Sequence, residues 1–412
     1  MLHYTRFELD NGLIVLHHFD ATTPIAAVNI LYNVGAKDED PHRTGFAHLF
    51  EHLMFGGSAN IPNYDSELQK ASGENNAFTT NDITNYYITL PVNNIETALW
   101  LESDRMKALD FSEKSLDVQR NVVIEEFKQR YLNQPYGDAW LKIRPLAYKV
   151  HPYLWATIGK EIKHIEEATL EDVKAFFYNF YRPNNAVMTI AGNISLETTK
   201  ELANKWFGDI ESAPVKRNNI QKEPKQTAER RETTKGNVPY DALYMAWHCS
   251  NRSDDKYYTT ELITNILSGS SSSRLYNRLV KEQEMFSELY CYQTDSTDEG
   301  LVIVQGNLAE GKTLEEGEKA VLDELAVLLE NGCGDAELEK VKNKKETVFT
   351  YSETEILTKA MNLSFYEYLG DANLINTEME KFRKVSVDDI KTVSREIFTA
   401  DNRSVLHYLK EN

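Results

Sequence analysis

Cysteine is scarce in this 412-residue chain: Cys249, Cys291 and Cys333 are odd in number, far apart and outside any CxxC pair. That excludes a disulfide framework and a cysteine zinc ribbon, and it points to a reducing compartment. Long apolar runs are lacking too. No stretch reaches the ~18 residues of a membrane-spanning helix. The start, MLHYTRFELDNGLIVLHHFD, has no signal-peptide core and reads directly as strands. The expectation is a cytoplasmic protein with no membrane association. A chain relieved of a signal peptide would read the same, so a periplasmic setting stays open. Basic residues are in deficit, 45 Lys+Arg against 64 Asp+Glu, for a net charge of -19. A phosphate backbone would be repelled, which argues against nucleic acid and leaves neutral or basic partners.

What is present is ordinary globular material, 41% hydrophobic and 26% charged, long enough for two or three domains. Asn11-Gly12 between apolar-rich runs predicts a hairpin with a two-residue turn. Residues 25–34 read as a buried strand. Residues 44–55 change to helical periodicity and stop at Gly56-Gly57. Strands are expected at 86–90 and 186–191, helices at 95–109, 113–131 and 170–181. Between Glu211 and Gly236 large apolar residues nearly vanish, so 213–236 is expected to be a linker.

Its position near the midpoint separates two similar halves. Thr169-Leu-Glu-Asp-Val-Lys174 is matched by Ser386-Val-Asp-Asp-Ile-Lys391, each a hydroxyl cap with Asp three residues on. His48-Leu-Phe-Glu51-His52 is matched by Glu261-Leu-Ile-Thr264-Asn265. The pairs lie 217 and 213 residues apart. The fold expected is α+β, two homologous domains (1–212 and 237–412), each a mainly antiparallel sheet with helices packed on one face.

In the first half, His48, Glu51 and His52 share one helical face at i, i+3 and i+4. Two neutral imidazoles with a carboxylate beside them suit a catalytic zinc and a base for water. The HxxEH order is the inverted form of HExxH. Zinc needs a third ligand, and Glu125 and Glu126, on a helix, are both able to supply it. The second half carries Glu261, Thr264 and Asn265 at the motif positions, so the fold does not require the histidines.

The ordered blocks HLFEHLMFGGS, NNAFTTNDITNYYITLP, HPYLWATIG and YRPNNAVMTIAGNI closely resemble the insulinase/pitrilysin family of inverted-motif zinc peptidases, over essentially the whole chain. The resemblance extends to half-length bacterial members and to mitochondrial processing peptidase subunits. It implies one zinc per chain on His48, His52 and Glu126, with Glu51 as general base. The family's acidic segment selects Glu126 over Glu125 and puts Gln119 where a supporting acid is usual. Gly73, Asn76, Ala77, Phe78 and Thr79 resemble the edge strand that binds a peptide substrate by β-augmentation.

Self-sufficient relatives carry an Arg and, seven residues on, a Tyr in the second half. Leu279 and Phe286 stand there instead, and Arg278 and Tyr290 lack the spacing. The resemblance therefore implies a zinc metalloendopeptidase that cleaves unfolded peptides in an enclosed chamber. It would be the catalytic subunit of a heterodimer whose homologous partner supplies the Arg/Tyr pair, or otherwise a homodimer. The competing reading is a non-catalytic peptide-binding or structural subunit, which Gln119, Leu279 and Phe286 keep in view.

Overall fold

The computed structural model describes residues 1–411, and one run of elements occurs twice along it. Strands β1 (Thr5–Glu8), β2 (Ile14–Phe19) and β3 (Ile25–Tyr32) lead into helix α1 (Phe46–Leu53). Strands β4 (Glu74–Thr79) and β5 (Thr84–Pro91) follow, then α2 (Ile95–Lys107), α3 (Glu113–Phe127), α4 (Ala139–Ala147), α5 (Leu170–Phe180) and β6 (Ala186–Gly192). The second run opens with β7 (Arg230–Gly236), β8 (Ala242–Cys249), α6 (Lys256–Ser268), β9 (Phe286–Gln293) and β10 (Gly300–Leu308). It closes with α7 (Leu314–Asn331), α8 (Asp335–Ser352), α9 (Ile356–Tyr368), α10 (Val387–Ile397) and β11 (Arg403–Lys410).

The strand orders correspond, β1-β2-β6-β3-β5-β4 in one sheet and β7-β11-β8-β10-β9 in the other. Each sheet is antiparallel apart from one parallel pair, β2 with β6 and β7 with β11. The hairpin at Asn11-Gly12 forms, but its loop spans 9–13 and closes through the Gly12 N–H to Leu9 O, with Gly12 at positive φ. Thr169 and Ser386 cap α5 and α10 with reciprocal boxes to Asp172 and Asp389.

The two compact units do not follow the contiguous division 1–212 and 237–412. One comprises Met1–Phe127, Trp155–Ile220 and Phe349–Thr377; the other takes Lys128–Leu154, Gln221–Val348 and the chain from Glu378 on. The corresponding helices α4 and α9 are thereby exchanged. In the first unit most helices lie on the face of β3 that carries Tyr32, whose ring meets Tyr86 and Tyr181. The other face, with Ala27 and Ala191, packs on Ile356 and Ala360 of α9, while Leu16 and Val187 pack on Leu363 and Tyr366. Thr189 Oγ1 lies 2.7 Å from Ser364 Oγ on that buried face. In the second unit, Ala139, Ile143, Leu146 and Ala147 of α4 cover Ala242, Tyr244 and Ala246 in the same way.

The stretch expected to be a linker is laced down by hydrogen bonds along its length. Lys216 and Arg217 bind the first unit, through Asn179 and through Asp38 at 2.5 Å. Glu223, buried in the second unit, accepts the N–H groups of Lys149, Val150 and His151 at 2.8–3.0 Å. Gln226 donates to Arg403 O, and 230–236 is strand β7. A polar composition denies this segment a core of its own, yet it satisfies backbone donors and acceptors that would otherwise be buried unpaired.

Candidate metal centre

Helix α1 places its apolar side chains Phe46, Leu49, Phe50 and Leu53 in the core and turns the buried His48 and the half-buried His52 to one common side. The imidazole centroids are 4.9 Å apart and nearly perpendicular. Both rings point Nε2 at one oxygen of Glu126 on α3, His52 at 3.2 Å and His48 at 3.6 Å. The three donor atoms lie within 4.8 Å of one another, and no other trio of His, Cys, Asp or Glu donors among the described residues does so. Two imidazole nitrogens and one carboxylate oxygen around a small space match the ligand set of a three-residue catalytic zinc site. Of the two candidate acids, Glu126 is the one aimed at the histidines.

Glu51 leaves the same helix beside the histidines, and its Oε2 accepts from Thr79 Oγ1 at 2.7 Å. Thr79 ends β4, the outermost strand of its sheet, so β4 presents an unpaired backbone edge. Along it Asn76 and Phe78 are exposed, and Asn76 Oδ1 accepts the Ala77 N–H at 2.8 Å. Gly73 precedes the strand, and a Cβ there would fall 2.3 Å from Leu68 Cδ1, so the Leu68 side chain would have to shift to admit one. Gln119 lies on α3 with its Nε2 about one contact distance (3.5 Å) from where a Cβ on Gly56 would be, just past the end of α1. Arg120 ties α3 to Ala168 O at 2.6 Å and pairs with Asp117 on the same helix at 2.5 Å.

Two features escaped the sequence reading. One is the Thr79–Glu51 bond, since nothing in the spacing 51 to 79 announces it. The other is Glu39, whose buried carboxyl group accepts the N–H groups of Gly45 at 2.9 Å and Ala47 at 2.8 Å. Burial pushes this carboxyl up to about 8, while the Ala47 and Gly45 amides pull it down. No capping pattern links positions 39 and 45; only the absence of a side-chain cap at Gly45 hints that a group from elsewhere must serve.

The second unit shows what the same framework does without the histidines. Glu261 Oε1, on α6, lies 3.0 Å from Lys345 Nζ on α8, and Gln293 Nε2 donates to the other oxygen at 3.2 Å. Asn265 turns back to Glu261 O. In the first unit the two helices bring nitrogen and carboxylate donors together; here the corresponding side chains carry opposite charges and neutralise each other. Leu279 and Phe286 are both fully buried in the core of this unit. Arg278 pairs at the surface with Glu282 and Glu324, and Tyr290 with Glu288.

Residues 14–136 match the family described as Insulinase (Peptidase family M16), and residues 167–345 match Peptidase M16 inactive domain. The chain is similar to Zinc protease PqqE of Helicobacter pylori, 28% identical over 98% of this chain and 91% of the relative. It is 27% identical to the mitochondrial-processing peptidase subunit beta of Saccharomyces cerevisiae over 49% of this chain and 44% of that one. The crystal structure of a protease from Helicobacter pylori superposes with a TM-score of 0.94 at 25% identity, covering 99% of this chain and 100% of that chain. The periplasmic protease PqqL of Escherichia coli shares the fold, with a TM-score of 0.81 at 17% identity; 98% of this chain spans 47% of that one. Among the described residues, no helix is long and apolar enough to cross a membrane.

Proposed function

Because the chain belongs to the insulinase family, peptidase family M16, we propose that it is a zinc-dependent endopeptidase acting on extended peptides. The observation that carries this reading is the convergence of His48, His52 and Glu126 within 4.8 Å, with Glu51 beside them. A zinc ion held by those three would act as a Lewis acid on the scissile carbonyl and make water acidic enough to ionise near neutral pH. Glu51 takes the proton from the attacking water and returns it to the leaving amine. The backbone edge of β4 binds the peptide as an added strand, which holds it extended and reads little sequence. Unfolded peptides fit that demand.

Leu279 and Phe286 cannot donate hydrogen bonds, so this chain's second half offers no side chain there to steady the carbonyl oxygen in the transition state. A homologous partner carrying an Arg/Tyr pair would supply it, and the pair of chains would enclose the peptide in a chamber. The reading as a peptide-binding subunit without catalysis rests on the same two residues and on Gln119. Metal analysis separates the two: about one zinc per chain, lost in His48→Ala and His52→Ala, supports the enzyme, and its absence supports the binding subunit. Peptide digests with and without a co-purified homologous chain test the partner. Full activity of the lone chain would remove that requirement.

A further inference from the structure

We infer that Glu39 is a positioning residue for the zinc ligands, a reading that rests on the zinc site proposed above. Helix α1 has only eight residues, and it begins at Gly45, whose φ of 90° is left-handed and which offers no side chain as a cap. A Cβ at Gly45 would meet Ile158 O at 2.6 Å, so a conventional capping residue has no room there. The first N–H groups of the helix would be unsatisfied in a buried setting. Both oxygens of Glu39 meet that need, one on Gly45 N and one on Ala47 N, the residue directly before His48. Two bonds from one rigid group fix the rotation of α1 about its axis, which decides where Nε2 of His48 and His52 meet.

The group that does the fixing is itself held to the substrate strand. Glu39 follows the tight turn Ala36–Asp38. Ala36 N donates to Thr80 O at 3.1 Å and Lys37 N to Asn81 O at 2.9 Å, just beyond the end of β4. Gly35 lets these chains approach, since a Cβ there would lie 2.5 Å from Asn81 backbone. Trp155 Nε1 on Ala36 O, at 3.0 Å, and Arg217 on Asp38, at 2.5 Å, close the turn from outside. Glu39 therefore ties the metal helix to the end of the strand that would carry the peptide.

The test uses the chain and its variants Glu39→Ala and Glu39→Gln, with Glu8→Gln as a control for the same change at an exposed site. Zinc dissociation constants come from competition with a chromogenic chelator, folding from the melting transition, and α1 amide exchange from the metal-free protein. Glu39→Ala is expected to bind zinc at least about 10-fold more weakly while still melting cooperatively, with faster exchange in α1. Glu39→Gln, which keeps one acceptor oxygen and the side-chain volume, is expected to fall between it and wild type. A purely structural role would lower the melting temperature and leave the zinc constant of the folded protein unchanged. That result, in either variant that folds, overturns the inference alone. Wild-type protein that binds no zinc overturns the inference together with the zinc reading.

Discussion

Thr79 Oγ1 donates to Glu51 Oε2 across 2.7 Å, joining the last residue of edge strand β4 to helix α1. One hydroxyl thereby aligns the candidate base with the strand on which a peptide would lie. Thr79→Val is expected to lower kcat for peptide cleavage by about 10-fold with zinc content unchanged, and Thr79→Ser to remain near wild type. Equal rates for all three would show that other contacts orient Glu51.

The two adjacent acids on α3 have different fates. Glu126→Gln is expected to release zinc during dialysis against a mild chelator, and Glu125→Gln to keep it, as read by metal content per chain. Retention by both would place the third ligand elsewhere. Glu126 Oε2 lies 3.2 Å from His52 Nε2 and 3.6 Å from His48 Nε2.

Leu363 on α9 is wholly buried against the sheet of the first unit. Leu363→Ala should cost about 2–5 kcal/mol, the range for a large-to-small change in a well-packed core. Urea denaturation gives the number. A shift below ~1 kcal/mol would mean that the helix covers this face only loosely.

Glu318 on α7 answers to pH. Burial alone would raise its carboxyl, but hydrogen bonds from Arg231 of β7 and His407 of β11 outweigh it and hold the group at about 2. Its folded value lies below the ordinary Glu value of ~4.3. The stabilisation is therefore complete above that value and drains away as pH falls from it towards 2. Melting temperatures of Glu318→Gln should lie below wild type at neutral pH and fall less steeply through this acid window. Parallel pH curves would assign the acid sensitivity to other carboxylates.

Much of this was legible in the residues. Apolar periodicity located β3, α1, α5 and β6, because each buries one regular face. The HxxEH spacing put both histidines on one side of α1, since helical geometry is local. The repeat was visible in the matching caps of Thr169 and Ser386. The exchange of α4 and α9 was not, because a helix's own pattern shows that it will be buried and not by which sheet. The lacing of 213–229 was hidden for a related reason: Glu223 and Arg217 read as solvated charges until the distant backbone they bind is known. Glu39 belongs to the same class, a polar side chain whose partners lie outside its own turn.

The exchange of α4 and α9 also orders events during synthesis. A nascent chain that has emerged as far as Ile220 carries every strand of the first sheet, yet the face with Leu16, Ala27 and Val187 stays bare until residues 356–366 leave the ribosome. The first unit is thus finished almost at the end of translation, against the usual order in which the amino-terminal domain folds first. A gene cut between the halves would yield two fragments, each holding the helix the other lacks.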